Sequence, residues 1–403
     1  MTTPTRALAR LLHHAQTTAP DDVVATLLEG ARTVGGRDVV LYLVDYEQQR
    51  LQPTPDRLDH GEPLPEAAVD GTMAGRCFST QSRLEAERDG DIQIWVPVTE
   101  RADRLGVLTL SVRQLDDAGR AFCEELGLLA AHLVLSASAY CDRFHLQRRR
   151  RPLSLAAEMQ WSLLPPLAFS FDGTTVAGLL EPAYDVGGDC FDYAMDLGVL
   201  HFGVFDAMGH GLPSSVTSGL AVGAYRHGRR SGLDLAAVVA AMDGAVEGVL
   251  GDSFATALVG QLDVHSGHPT WLSAGHPAPI VVRDGSILTS PDQTAALPLG
   301  LGLMQPTERL RPSELDLQPG DRVLLYTDGV VEARAPEGEE FGSDRLADLF
   351  VRHSSSGRLA PEVLRRLVQA CLDFQGGPLR DDATILLLEW SHPASRLVQQ
   401  RLS

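Results

Sequence analysis

Four short acidic motifs in the C-terminal half of the chain carry side chains that could do chemistry. They are Gly187-Gly188-Asp189-Cys190-Phe191-Asp192, Phe205-Asp206-Ala207-Met208-Gly209-His210-Gly211, Tyr326-Thr327-Asp328-Gly329 and Arg380-Asp381-Asp382-Ala383-Thr384. Asp206 ends the apolar run HFGVFD, Asp328 ends RVLLYTD, and Asp381-Asp382 precede ATILLLEW. A carboxylate at such a place is held by a rigid strand while facing a loop-lined cleft. Carboxylates without accompanying Cys or paired His suit hard, oxygen-preferring cations, Mg²⁺ or Mn²⁺. Two such ions about 3.5–4 Å apart can activate a water and clamp phosphoryl oxygens. A backbone carbonyl beside Asp206 could add a further ligand.

Taken singly, each motif has a plainer reading. Asp-Gly is a common turn signal, so TDG alone reads as a turn. GGD alone is equally unspecific and also brings a nucleotide cyclase to mind, but Cys190-Phe191 follows where Glu-Phe would be expected there. Asp-Asp alone reads as a helix cap or a solvated pair. Four such motifs, in order and each abutting a strand, do not arise readily from independent turns. Cys190 lacks the phosphate-cradling loop and following arginine that a nucleophilic cysteine needs, and reads as a small packed residue.

The chain that must position these residues has 403 residues, which points to two domains. Its formal net charge of -19, from 53 acidic and 34 basic residues, disfavours nucleic acid or an anionic membrane as a main partner. Five widely spaced cysteines without a CxxC pair argue against a disulfide framework or zinc site and fit a reducing cytoplasm. The N-terminal residues lack the apolar run of a signal peptide, and no uninterrupted stretch of about eighteen apolar residues follows. The expectation is a cytoplasmic protein.

Apolar periodicity over 7–34, broken at Pro20-Asp21-Asp22, predicts two helices. Strands are expected at Asp38–Asp45, Ile92–Val98 and Leu105–Val112, with a loop or irregular region over roughly 53–90 and a helical pattern from Asp116 to about Gln147. That order predicts an α/β domain with an antiparallel sheet over 1–140. The basic block Arg148–Arg151 and an amphipathic helix ending at Pro165-Pro166 suggest a helical connector over 141–165, of a kind that often pairs with a second subunit. From Thr175 the pattern is β-rich. Strands are expected at Val176–Pro182, Val199–Phe205, Thr256–Asp263, Thr270–Ala274, Pro279–Arg283, Arg322–Thr327 and Thr384–Trp390. Helices are expected at Pro213–Arg229, Leu235–Leu250, Asp344–His353 and Pro361–Phe374. Such an order fits a β-sandwich flanked by helices over 166–392, with a tail at 393–403.

The segments AEMQWSLLPP, EPAYDVGGDCFDY, VFDAMGHGLPSS, FATALVGQLDVHSG, LSAGHPAPIVVRDG, PGDRVLLYTDGVVEAR and RDDATILLLE are collinear with the bacterial branch of the PPM, or protein phosphatase 2C-like, phosphatases. The stretch from about Leu153 to Glu389 resembles their stage II sporulation protein E type. Residues 5–145 resemble a GAF sensor domain. The phosphatase resemblance implies an α+β fold, a central β-sandwich flanked by helices, with a two-metal site holding Mn²⁺ or Mg²⁺. It assigns Asp189, Asp206, Asp328 and Asp381 to the metals, with the Ala207 carbonyl as a further ligand. Asp382 and Asp192 are the nearby acids next in rank. It further implies hydrolysis of phosphoserine or phosphothreonine by in-line attack of a metal-activated water. The substrate it implies is a phosphorylated anti-anti-sigma factor of the STAS type. Control by the N-terminal domain, within a homodimer, is expected. Where eukaryotic members carry an acid histidine this chain has Met208; His210, two positions on, reads as loop-shaping and only secondarily as a proton donor. His276 reads as a turn residue, and the phosphate-binding arginine of the eukaryotic members has no clear equivalent. The competing reading is a catalytically silent phosphatase fold that acts by binding.

Overall fold

The computed structural model describes residues 4–54, 64–185, 187–248, 253–288, 296–301 and 310–391. The expected C-terminal tail lies outside them. The chain divides into two compact units, Met1–Pro152 and Leu153–Ser403.

The first unit runs α1 (Pro4–Ala15), α2 (Val23–Arg32), β1 (Arg37–Val44), β2 (Arg50–Thr54), β3 (Ala67–Ala68), α3 (Met73–Thr80), β4 (Leu84–Arg88), β5 (Asp91–Glu100), β6 (Asp103–Val112), α4 (Asp117–Ser138) and α5 (Arg143–Gln147). Its six strands form one antiparallel sheet in the order β3-β2-β1-β6-β5-β4. Leu27 and Ala31 of α2 and Leu126, Ala130 and Val134 of α4 cover one face with Leu41, Leu43, Ile94, Val96, Leu108 and Leu110. Ala74, Cys77 and Phe78 of α3 cover Val44, Leu51 and Val107 on the other. Helix α4 is long and apolar enough by composition to cross a membrane, and it lies with eleven of its residues buried in this core.

The region expected to be irregular, 53–90, is corrected by the structure, which forms α3 and β4 there. Thr72 caps α3, accepting from the Gly75 amide at 2.9 Å. Strand β4 is a hairpin partner of β5 across Asp89-Gly90, both at positive φ. Those two residues are a type I′ turn signal that the polar strand LEAER masks.

The second unit runs α6 (Leu155–Leu163), β7 (Ala168–Phe171), β8 (Thr174–Glu181), β9 (Asp189–Asp196), β10 (Val199–Ala207), α7 (Leu212–Arg230), α8 (Leu235–Val246), β11 (Ala255–Asp263), β12 (His268–Ala274), β13 (Ile280–Arg283), β14 (Ser286–Leu288), β15 (Ser313–Glu314), β16 (Arg322–Tyr326), α9 (Asp328–Val331), α10 (Ser343–Ser354), α11 (Ala360–Gln375) and β17 (Ala383–Trp390). Two antiparallel sheets result, β15-β12-β11-β10-β9 and β14-β13-β16-β17-β8-β7. Alternation sorts the strand residues into layers. Phe191, Leu200, Phe202, Val204, Leu258, Val323, Leu325, Leu386 and Leu388 fill the space between the sheets. Cys190, Phe205, Val259 and Leu272 face Val222, Tyr225, Val239 and Met242 of α7 and α8. Helix α11 packs on β8 and β17 of the other sheet. The sandwich flanked by helices is therefore present. Truncating one of its fully buried rings, Phe205→Ala, is worth about 3–5 kcal/mol.

Candidate active site

The inner-face rows of the sandwich end in acids. Along β10 the row Leu200, Phe202, Val204 continues into Asp206, and along β9 Tyr193 and Phe191 continue into Asp189. The two strands pair so that Asp206 and Asp189 stand directly opposite each other. In the other sheet, Leu325 leads to Thr327 and Asp328, and Leu386 leads back through Thr384 to Asp382. The apolar layer thus stops at one end of the sandwich, and carboxylates from both sheets take its place. Asp189 and Asp382 are only 2% and 8% exposed; Asp206 is half-buried, while Asp328 and Asp381 reach solvent.

Their electrostatics couple them. Burial first, then the Asp328 and Asp381 charges, push Asp206 up to about 7. Burial, then Asp206 and Asp382, raise Asp189 well above the usual carboxylate range. Asp328 is raised by burial and then by Asp381. Asp382 is raised by burial and held back by the amides of Gly188 and Gly187. All four sequence-assigned aspartates therefore act within one electrostatic cluster, with Asp206 at its centre. Among the described residues no cation appears among the causes of these shifts.

Close backbone packing holds the loops. Gly187 lies against the Gly211 backbone, and Gly329 against the Asp382 carbonyl, where an added Cβ would collide in each case. Asp381 accepts from the Asp382 amide at 2.9 Å. Gln160 of α6, fully buried, donates to the Asp189 carbonyl at 2.5 Å and to the Ser218 hydroxyl at 3.2 Å.

The donor set is all oxygen and fits a hard divalent cation in kind and in its uncompensated charge. Among the described residues, no three of these side chains converge closely enough to hold one ion as they stand. The Ala207 backbone is tied into the site by its amide, which donates to the Gly188 carbonyl at 3.3 Å.

Asp192 is a correction to the sequence reading. It is 1% exposed, and both its oxygens are taken, by Arg226 Nη2 at 2.7 Å and Arg229 Nη1 at 2.6 Å on α7. An odd spacing from Asp189 turns it to the helix-covered face, so it is not among the clustered acids. His210 is exposed on the loop after Ala207. His276 is buried in its turn, its Nδ1 2.9 Å from Thr256 Oγ1, and burial lowers it to about 4. Burial likewise raises the Cys190 thiol, which suits a packed residue. Thr327, Gln160 and the glycine contacts escaped sequence reasoning, because their partners lie far away along the chain.

Residues 196–391 match the family described as Stage II sporulation protein E (SpoIIE). The chain is 24% identical over 247 residues to the phosphoserine phosphatase RsbU of Bacillus subtilis, 60% of this chain and 71% of that protein. It is 28% identical over 134 residues to protein IcfG of Synechocystis, 33% of this chain and 20% of that one. Among solved structures, the SiaA PP2C domain of Pseudomonas aeruginosa superposes with a TM-score of 0.50 at 27% identity, over 59% of this chain and 94% of that domain. The C-terminal unit of this chain thus resembles the SpoIIE-type domains of the PPM phosphatases, with residues 196–391 carrying the family match.

Proposed function

We propose that the C-terminal unit is a metal-dependent protein serine/threonine phosphatase whose two divalent cations are held by Asp189, Asp206, Asp328 and Asp381. One observation carries the metal dependence: five coupled carboxylates crowd the sandwich end, Asp206 is driven up to about 7, and no described cation offsets them. A folded protein keeps such an arrangement at a cost, and function is the usual reason. Bound Mn²⁺ or Mg²⁺ would supply Lewis-acid activation of water and neutralise phosphoryl oxygens.

The chain's own residues do the rest. Asp206, opposite Asp189 and next to the Asp328 and Asp381 charges, would be the central one of the residues that hold the cations. The Thr327 hydroxyl fixes the Asp189 carboxylate at 2.5 Å. His276 is buried and engaged in its turn, while His210, exposed on the loop after Ala207, shapes that loop and is only secondarily a proton donor.

The similarity to a phosphoserine phosphatase supports a phosphoprotein substrate, which we place among phosphorylated STAS-type anti-anti-sigma regulators. The N-terminal unit would act as a GAF-like sensor controlling the phosphatase, in a cytoplasmic homodimer. The test is hydrolysis of p-nitrophenyl phosphate and of a phosphoserine STAS protein, with Mn²⁺, with chelator, and in Asp206→Asn and Asp328→Asn. Activity should need the metal and fall about 10²–10³-fold in each variant, the scale of losing one electrostatic contact to a transition state. Metal-independent turnover would sink the mechanism. A folded protein and a 153–403 fragment both inactive with every metal would leave binding as the function.

A further inference from the structure

Two side chains that flank strands β16 and β17, Thr327 and Asp382, reach Asp189 at the start of β9 and the glycine loop just before it. Thr327, fully buried, receives the Thr384 amide on its Oγ1 at 2.8 Å, so its hydroxyl proton is free for Asp189 Oδ2 at 2.5 Å. Asp382, 8% exposed, accepts two backbone amides on a single oxygen: Oδ2 lies 2.8 Å from Gly187 N and 2.6 Å from Gly188 N. The far side of that loop rests on the Gly211 backbone, where no Cβ fits. The loop is therefore pinned from both sides, and one of the two Asp382 oxygens is fully used in pinning it.

We propose that Asp382 and Thr327 are positioning residues, a two-point clamp that sets Asp189 in place, and that Asp382 is not itself a metal ligand. What Asp189 does once positioned rests on the phosphatase reading; the clamp does not. The chemistry separates a clamp from a ligand. An asparagine can still accept both glycine amides through its carbonyl oxygen but is a poor ligand for a hard cation. Serine keeps the hydroxyl of Thr327, while valine keeps only its shape.

The experiment takes the full chain and the variants Asp382→Asn, Asp382→Ala, Thr327→Ser and Thr327→Val. It reads amide hydrogen exchange over the peptide spanning 183–191, and Mn²⁺ affinity from the EPR signal of the free ion. The clamp predicts faster exchange in Asp382→Ala and Thr327→Val, with Mn²⁺ affinity lowered about 10–100-fold, the scale of removing a group that orients a ligand. Asp382→Asn and Thr327→Ser should stay close to the parent in both. If Asp382→Asn loses Mn²⁺ as fully as Asp206→Asn while its exchange is unchanged, Asp382 is a ligand and the proposal falls. Unchanged exchange in Asp382→Ala and Thr327→Val would overturn it as well. Should Asp382→Ala fail to fold, the Thr327 pair and Asp382→Asn still decide. A parent protein that binds no Mn²⁺ would sink the metal reading, with the exchange data still judging the clamp.

Discussion

Asp189 and Asp192 stand three residues apart on β9, both buried, and their charges are met in opposite ways. Asp192 faces α7, where Arg226 and Arg229 take both its oxygens. Asp189, by contrast, has no cation beside it among the described residues, and burial together with the Asp206 and Asp382 charges pushes it well above the usual carboxylate range. One acid is an internal ion pair that ties a strand to a helix. The other is held by a hydroxyl and left short of positive charge. Compensation within the chain, rather than burial or motif membership, separates the acid tied into the fold from the acid left in the cluster.

The comparison breaks most visibly if Asp192 is removed. Asp192→Ala leaves two partly buried guanidinium groups facing each other without their anion, and breaking such a pair costs about 3–5 kcal/mol. Denaturant unfolding of the variant should show that loss, while turnover per folded molecule stays at the parent level. A variant of parental stability with abolished turnover would move Asp192 back among the catalytic acids.

The difference between these two aspartates was not legible in the sequence, since the arginines that decide it come 34 and 37 residues later. The strand carrying both was itself missed: DCFDYAMD holds three aspartates among its apolar residues and does not alternate cleanly. What sequence reasoning read well were the strands with continuous apolar runs, such as RVLLY and ATILLLEW, and the aspartates at their ends. Those signals are local. The polar hairpin strand β4 and the short helix α3 failed for the opposite reason. Their placement depends on a turn, a cap and a sheet face rather than on apolar content. The hydroxyl of Thr327 and the amide-binding oxygen of Asp382 act over separations of 138 and 195 residues.

A third acid sharpens the comparison because it lies in the other unit and has no acidic cluster around it. Asp45, fully buried, accepts the Gln49 and Arg50 amides at 2.8 and 3.1 Å, with Arg150 Nε 3.9 Å away. Burial outweighs these partners and raises it from 3.8 to about 6. Between those values the folded state keeps a proton that the unfolded chain releases, so this group makes stability fall as pH rises from about 4 to 6 and adds nothing further above. That displacement corresponds to about 3 kcal/mol. Asp45→Asn should flatten that slope in melts taken between pH 4 and 7, and stabilise the unit at neutral pH. A slope that survives the substitution would assign the titration elsewhere.

The uncompensated cluster should respond to a cation where the compensated pair does not. A ligand that binds only the folded state stabilises it by about 2.7 kcal/mol at a hundred times its dissociation constant. Mn²⁺ should therefore raise the unfolding midpoint of the parent protein by that order. The Asp192→Ala variant, though weaker at the start, should gain as much, since its site is intact. In Asp206→Asn the gain should vanish, because the carboxylate to which Asp328, Asp381 and Asp189 are all coupled has lost its charge. Without metal, that same variant should be no less stable than the parent, because it relieves repulsion and breaks no ion pair. Equal Mn²⁺ stabilisation of parent and Asp206→Asn would mean the cation binds elsewhere, and the carboxylate crowding at the sandwich end would then need another explanation.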